Sequence, residues 1–289
     1  MTGVQTCALP ILVFIHGGWW RSLDKSDFTF IVPGYRRAGF NVALTNYTLA
    51  PEASIEEIVV QQLRALSWLY KNAEGLEFDR RRIVVAGHSA GAHLAAMTMA
   101  AHWPVWDAAL PKDLVRGGVL MSGLYDLDPV VHADFVNVDL KLDPASAWKL
   151  SPGHMPQPHP TPFITSVGDL ESEEFKRQTA LIASQWKGAH RAEVKLDGYN
   201  HLTICDAFGN PDHPLFEATC ELVRSIPERW EVGMHYNYDT FGNLTRFLEQ
   251  KAEIERFGAT PVMSGRAHYL RFDPLKSFNL LQSSGIRFD

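Results

Sequence analysis

Gly87-His88-Ser89-Ala90-Gly91 sets a hydroxyl between two glycines, after the apolar run RIVVAG and before a run of small residues. A strand that turns this sharply into a helix forces one non-glycine residue into a strained conformation. Glycines two before and two after leave it room. The turn lifts the Ser89 hydroxyl clear of a sheet, at a helix N-terminus that favours negative charge. Those are the needs of a serine nucleophile; a strand–helix turn with a capping serine is the plainer alternative. A second cluster, His16-Gly17-Gly18-Trp19-Trp20, ends the apolar run LVFIH. Its glycines let backbone amides turn into a site. The N–H groups of Gly17, Gly18 and Trp19, with that of Ala90, can receive a developing oxyanion. A glycine turn that merely ends a strand is the alternative for this cluster alone, but the two clusters in this order support each other.

A serine needs a base. The chain holds 12 histidines, so most are structural or exposed. His16 reads as a brace of its own turn, and His88 and His93 flank Ser89 in sequence but point elsewhere. His201, in GYNHLTI, directly follows the last strand and precedes the final helix, which fits the order serine, acid, histidine. The acid must follow the strand PFITSVG. Asp169 and Glu171 both stand there, one to orient His201 and the other a cap or surface charge; spacing does not decide between them.

The elements that must position these groups alternate along the chain. Strands are expected at 12–16, 40–47, 82–87, 117–123, 162–168 and 192–198, and helices at 24–38, 54–72, 89–101, 174–186 and 213–226. That alternation predicts an α/β fold with a mostly parallel, doubly wound sheet covered on both faces. Ligands then sit beyond the carboxyl ends of the strands, at 16–20, 87–91, 122–128, 168–171 and 198–201. The segment 151–162, with five prolines, reads as a stiff loop. Residues 1–11 read as an artefactual or disordered start, 12–226 as the catalytic domain, and 227–289 as a separate C-terminal segment with one polar helix near 243–256.

Composition narrows the classes further. With 46% hydrophobic and 21% charged residues the chain is globular. A net charge of -6 argues against a nucleic-acid binder that works by neutralising phosphates. Cys7, Cys205 and Cys220 are too few and too scattered for a disulfide framework or a zinc site. No apolar run approaches the ~18 residues of a membrane span. No basic stretch precedes the apolar residues 7–15, so no secretory signal is expected and the cytoplasm is the default setting.

From Leu12 to about Ser225 the chain resembles the kynurenine formamidase (arylformamidase) branch of the α/β-hydrolases. The resemblance rests on HGGWW, NYTLAPEASIEEIV, AGHSAGAHLAA, SGLYDLDPV, FVNVDLKLDPASAW, VGDLESEEFKRQ and YNHLTI, in that order. It implies a serine hydrolase that cleaves a small aryl formamide or ester, with Ser89 as nucleophile and His201 as base. It also implies Glu171 as the acid, with Asp169 in reserve, and no cofactor or metal. General carboxylesterase activity, as in the related hormone-sensitive-lipase group, is the near alternative, and a truncated inactive scaffold another. Trp20, Tyr125 and Asn137 are candidates to line the substrate site, with 128–150 as a partial lid; core packing is the plain expectation for Trp20 and for Phe135. The HGG cluster follows the third strand in that fold, so the first strands are expected to be missing here. The C-terminal segment is similar to a short stretch of polysaccharide deacetylases. His235 and His268 could descend from a metal site there, but no partner ligands accompany them.

Overall fold

The structure, a computed structural model, describes residues 8–226, 232–236, 243–258, 262–267 and 283. The chain divides into two compact units, Met1–Pro227 and Glu228–Asp289. The second contains strands Val232–Tyr236 and Val262–Ala267, paired in parallel, and helix Leu244–Gly258.

The first unit is built on six parallel strands: β1 (Leu9–Ile15), β2 (Asn41–Thr45), β3 (Phe78–His88), β4 (Val115–Met121), β5 (Phe163–Gly168) and β6 (His190–Leu196). They lie in the order β2-β1-β3-β4-β5-β6. Strand β1 begins at Leu9, so residues 9–11, set aside by sequence as an artefactual or disordered start, are part of the sheet. Ile11 is buried and pairs with Asn41 and Ile83.

Side chains alternate between the faces, as a pleated strand demands. On one face Val13, Ile15, Ile83, Val85 and Leu120 pack under α2 (Ile55–Asn72) and α3 (Ala90–Met99), whose order along the chain follows α1 (Val32–Arg37). On the other, Leu12, Phe14, Val84, Ala86 and Met121 meet Tyr35 of α1 and the apolar residues of two late helices. Four short helices follow α3: α4 (Trp103–Trp106), α5 (Asp128–Val131), α6 (Asp134–Leu140) and α7 (Pro144–Lys149). Then come α8 (Glu173–Gln185), α9 (Ile204–Gly209) and α10 (Pro214–Ser225).

Helix α2 starts on a capping box, in which Ser54 accepts from the Glu57 amide and Glu57 reaches back to the Ser54 amide. The helix expected over 24–38 is split. Asp24 caps a 3-10 turn at Lys25–Ile31, and a separate helix follows with Pro33 in its first turn.

One feature of the strand order makes the site. The chain runs from β2 past β1 to β3, so the segments leaving β1 and β3 are neighbours. Ile15 pairs with Gly87, and the His16–Trp20 loop therefore emerges beside the turn at Ser89. This is the switch point of an open parallel sheet, where a crevice opens.

Candidate active site

Ser89 stands between β3 and α3 at φ 57°, ψ -122°, a conformation that residues with a Cβ seldom adopt. Its amide donates to the Met121 carbonyl at 2.9 Å, and its carbonyl accepts from Ala92 and His93. The backbone is thus fixed on both sides by bonds that do not involve the hydroxyl. As the first residue of α3, Ala90 has an amide with no partner inside the helix.

The Ser89 hydroxyl meets the imidazole of His201, Oγ to Nε2 3.0 Å. On the other side of the ring, Nδ1 lies 2.6 Å from Glu171 Oε2. A carboxylate can only accept, so Nδ1 carries the proton and Nε2 accepts from the serine. Glu171 is buried, and its second oxygen accepts from the Ser122 hydroxyl at 2.5 Å and the Gly168 amide at 2.8 Å. Burial works to raise its carboxyl, yet the hydrogen bonds from His201, Ser122 and Gly168 outweigh it and hold it below the ordinary glutamate value. Phe175, on the first turn of α8, stacks on the His201 ring with centroids 4.1 Å apart. The His88 ring lies tilted against that of His201, centroids 4.6 Å apart. Burial, then the neighbouring imidazole, push His88 down to about 3, so it stays neutral.

The loop after β1 is pinned from several directions. The ring nitrogens of His16 lie 2.8 Å from the Gly17 carbonyl oxygen and 3.0 Å from Asn46 Oδ1. The Tyr47 hydroxyl donates to the carbonyls of His16 and Gly17, both at 3.0 Å. Gly18 turns the chain at φ 98°, and its carbonyl accepts from the amides of Arg21 and Ser22. The amides of Gly18, Trp19 and Ala90 donate to no acceptor among the described residues.

The structure brings together Ser89, His201 and Glu171, and sets the Gly17–Trp19 loop beside them. It corrects other expectations. Asp169 is exposed, and its carboxylate accepts from the Gly198 amide at 2.6 Å; it shapes the turn before His201 and does not touch the imidazole. Trp20 and Tyr125 are each 0% exposed and belong to the core, so neither can meet a substrate. Asn137 spends its amide within its own loop, on the carbonyls of Val131 and Leu142 and the amide of Leu142. Phe135, expected in the core, is 61% exposed. Ser122 and Phe175 lie within segments the sequence marked, but nothing in it singled them out as neighbours of the acid and the base. His268 lies outside the described residues, and only the backbone of His235 is described.

Comparison with known proteins fits this geometry. The kynurenine formamidase of Drosophila melanogaster is 33% identical over 206 residues, covering 68% of this chain and 67% of that one. The chain belongs to the kynurenine formamidase family. The Salmo salar kynurenine formamidase is 26% identical over 226 residues, 74% of this chain and 73% of that one. The BD-FAE family model matches residues 2–103. Among solved structures, a Silicibacter sp. tm1040 protein covers 76% of this chain and 78% of its own, with TM-score 0.64 and 28% identity. The native esterase Est2 of Thermogutta terrifontis has TM-score 0.57 and 22% identity, over 75% and 80%, and shares the fold. The fold is that of the α/β-hydrolases, and the kynurenine formamidase family makes this chain a hydrolase. No helix among the described residues is long and apolar enough to cross a membrane.

Proposed function

We propose that this chain is a serine hydrolase that removes a small acyl group, formyl foremost, from an aryl amide or ester. The observation that carries the reading is the unbroken run of hydrogen bonds from Glu171 through His201 to the strained Ser89, 2.6 and 3.0 Å long. The relatives' names supply the formamide; the half-buried Trp19 and the exposed Phe135, in edge-to-face contact at 5.5 Å, offer aromatic surface to an aryl leaving group.

In this mechanism the Ser89 hydroxyl attacks the carbonyl carbon while its proton passes to His201 Nε2. The amides of Gly18, Trp19 and Ala90 receive the charge on the carbonyl oxygen, each donor worth about 3 kcal/mol at the barrier. Protonated His201 then gives its Nε2 proton to the departing aryl amine or alcohol. Water, deprotonated by the same nitrogen, attacks the acyl-enzyme and restores Ser89 with release of formate or another small acid. Glu171 stays ionised throughout, holding the imidazole in one tautomer and balancing its transient charge.

The test is a single assay series on the full chain with N-formylkynurenine, p-nitrophenyl acetate and p-nitrophenyl butyrate. The formamide is expected to give the highest kcat/KM, and Ser89→Ala to lower kcat about a thousandfold or more. Turnover that survives Ser89→Ala would remove the serine mechanism. Esters that outrun the formamide would make the chain a carboxylesterase.

A further inference from the structure

The loop that carries the proposed oxyanion donors is held in a conformation its residues do not favour. Gly18, Trp19 and Trp20 run consecutively at φ 98°, 54° and 57°. Side chains with a Cβ persist in that region only where their surroundings fix them. Trp20 is fixed from within. Its ring is buried edge-on against His93, and its carbonyl accepts from the Ala50 amide at 2.9 Å.

Trp19 and Arg21 are fixed from outside, by one helix. The Trp19 ring meets Phe135 at 5.5 Å and an interplanar angle of 88°. The Arg21 guanidinium donates to Asp139, Nη1 to Oδ2 2.6 Å. Phe135 and Asp139 stand four residues apart on α6, hence on one face of it. The helix itself is anchored. Val136 and Leu140, on the adjacent face, are buried, and Asn137 ties the segment from Val131 to Leu142.

These contacts are poorly placed to hold the fold together. The ion pair's side chains are 30% and 33% exposed, and pairs so exposed add little to stability. They are well placed to hold the loop. We propose that α6 braces the oxyanion loop: the Arg21–Asp139 pair and the Trp19–Phe135 contact set the amides of Gly18 and Trp19 at the distance from Ser89 that a developing oxyanion requires. Arg21 and Asp139 are then positioning residues, which touch no reacting atom; Phe135 acts on the loop through Trp19 in addition to the aromatic surface it offers a leaving group. This rests on the serine-hydrolase reading above.

The experiment uses the full chain, p-nitrophenyl acetate as substrate, and an aryl trifluoromethyl ketone whose serine adduct bears an oxyanion. Arg21→Gln and Asp139→Asn are each expected to lower kcat about tenfold or more, since a misplacement near 1 Å can cost a hundredfold. KM should move less, and Ki for the ketone should rise with the loss of kcat/KM. The melting temperature should stay within about 3 °C. Exchanging the charges, Arg21→Asp with Asp139→Arg, should recover much of the lost rate. If that pair does not fold, Arg21→Lys replaces it, and a kcat between wild type and Arg21→Gln supports the brace. Single variants with kcat and Ki within about twofold of wild type overturn it. So does a loss of kcat matched by a fall in melting temperature, which is a folding effect. Turnover that survives Ser89→Ala strikes the serine reading itself; Ser89-dependent turnover indifferent to Arg21 and Asp139 strikes only the brace.

Discussion

Glu171 is set apart from Asp169 by its donors, since both are carboxylates on the same short turn. One Glu171 oxygen is occupied by the Ser122 hydroxyl and the Gly168 amide, which leaves the other to face His201 Nδ1. Glu171→Gln keeps the shape but offers an amide where the imidazole needs a charged acceptor. It is expected to lower kcat by about 10³–10⁴ with the circular dichroism spectrum unchanged. Asp169→Asn alters only the acceptor of the Gly198 amide and should leave kcat within about twofold. Equal losses in the two variants would assign the acid wrongly. The meeting of Ser89, His201 and an acid was legible because GHSAG, HGG and the lone histidine after the last strand are tied to residue type and order. The choice between two acids two residues apart was not, because it depends on which carboxylate the turn directs inward. Ser122 and Phe175 were equally silent: a serine after a strand and an apolar residue in a helix are ordinary in any fold.

At the scale of elements, the proposed function depends on how closely β1 and α3 approach. A Cβ on Gly91 would lie 2.0 Å from the Ile15 carbonyl oxygen and 2.5 Å from that of His16. Both are backbone atoms at the root of the loop that carries the proposed oxyanion donors, so neither can swing away. Glycine to alanine inside a helix ordinarily stabilises by roughly 0.5–1 kcal/mol. Here the sign is expected to reverse. Gly91→Ala should cost about 1–3 kcal/mol or more as the helix is driven off the strand. It should also lower kcat, because the loop shifts with β1. Urea unfolding reads the first effect and ester turnover the second; a variant as stable as wild type would mean that the strand and helix are not in contact. The sequence pattern foretold six strands and the long helices between them, since runs such as RIVVAG and the helical spacing of 54–72 are long enough to carry a period. It did not foretell α4, α5, α6, α7 and α9, which span four to seven residues each, shorter than two turns. Nor could it place β2 outside β1, which depends on crossover direction rather than on local composition.

The first unit as a whole keeps several imidazoles out of water, and this ties its stability to pH. His16, His88 and His93 are all buried. Burial lowers His16, brings His88 down to about 3, and brings His93 down to about 4 even though Leu150 offers it a carbonyl. In the unfolded chain the same rings take up protons near pH 6.5. Between that value and the depressed folded ones the unfolded state binds more protons than the native state. Stability therefore rises with pH through this window and is lost as pH falls below about 6.5. One such site gives a slope of at most about 1.4 kcal/mol per pH unit, and several acting together exceed it. Glu171 contributes in a lower window. Its folded carboxyl is depressed, so its contribution is present above the ordinary value of 4.5 and disappears as pH drops through the folded value. Urea unfolding at half-unit steps from pH 8 to 4.5 should thus show a plateau above about 7 and a fall between 6.5 and 5 steeper than a single site allows. His93→Leu removes one of the rings and should flatten that fall, whatever it does to stability at pH 8. A profile level from pH 7 to 5 would mean that these histidines accept protons without unfolding the sheet, and that the end of the molecule holding Ser89 is wetter than its packing implies.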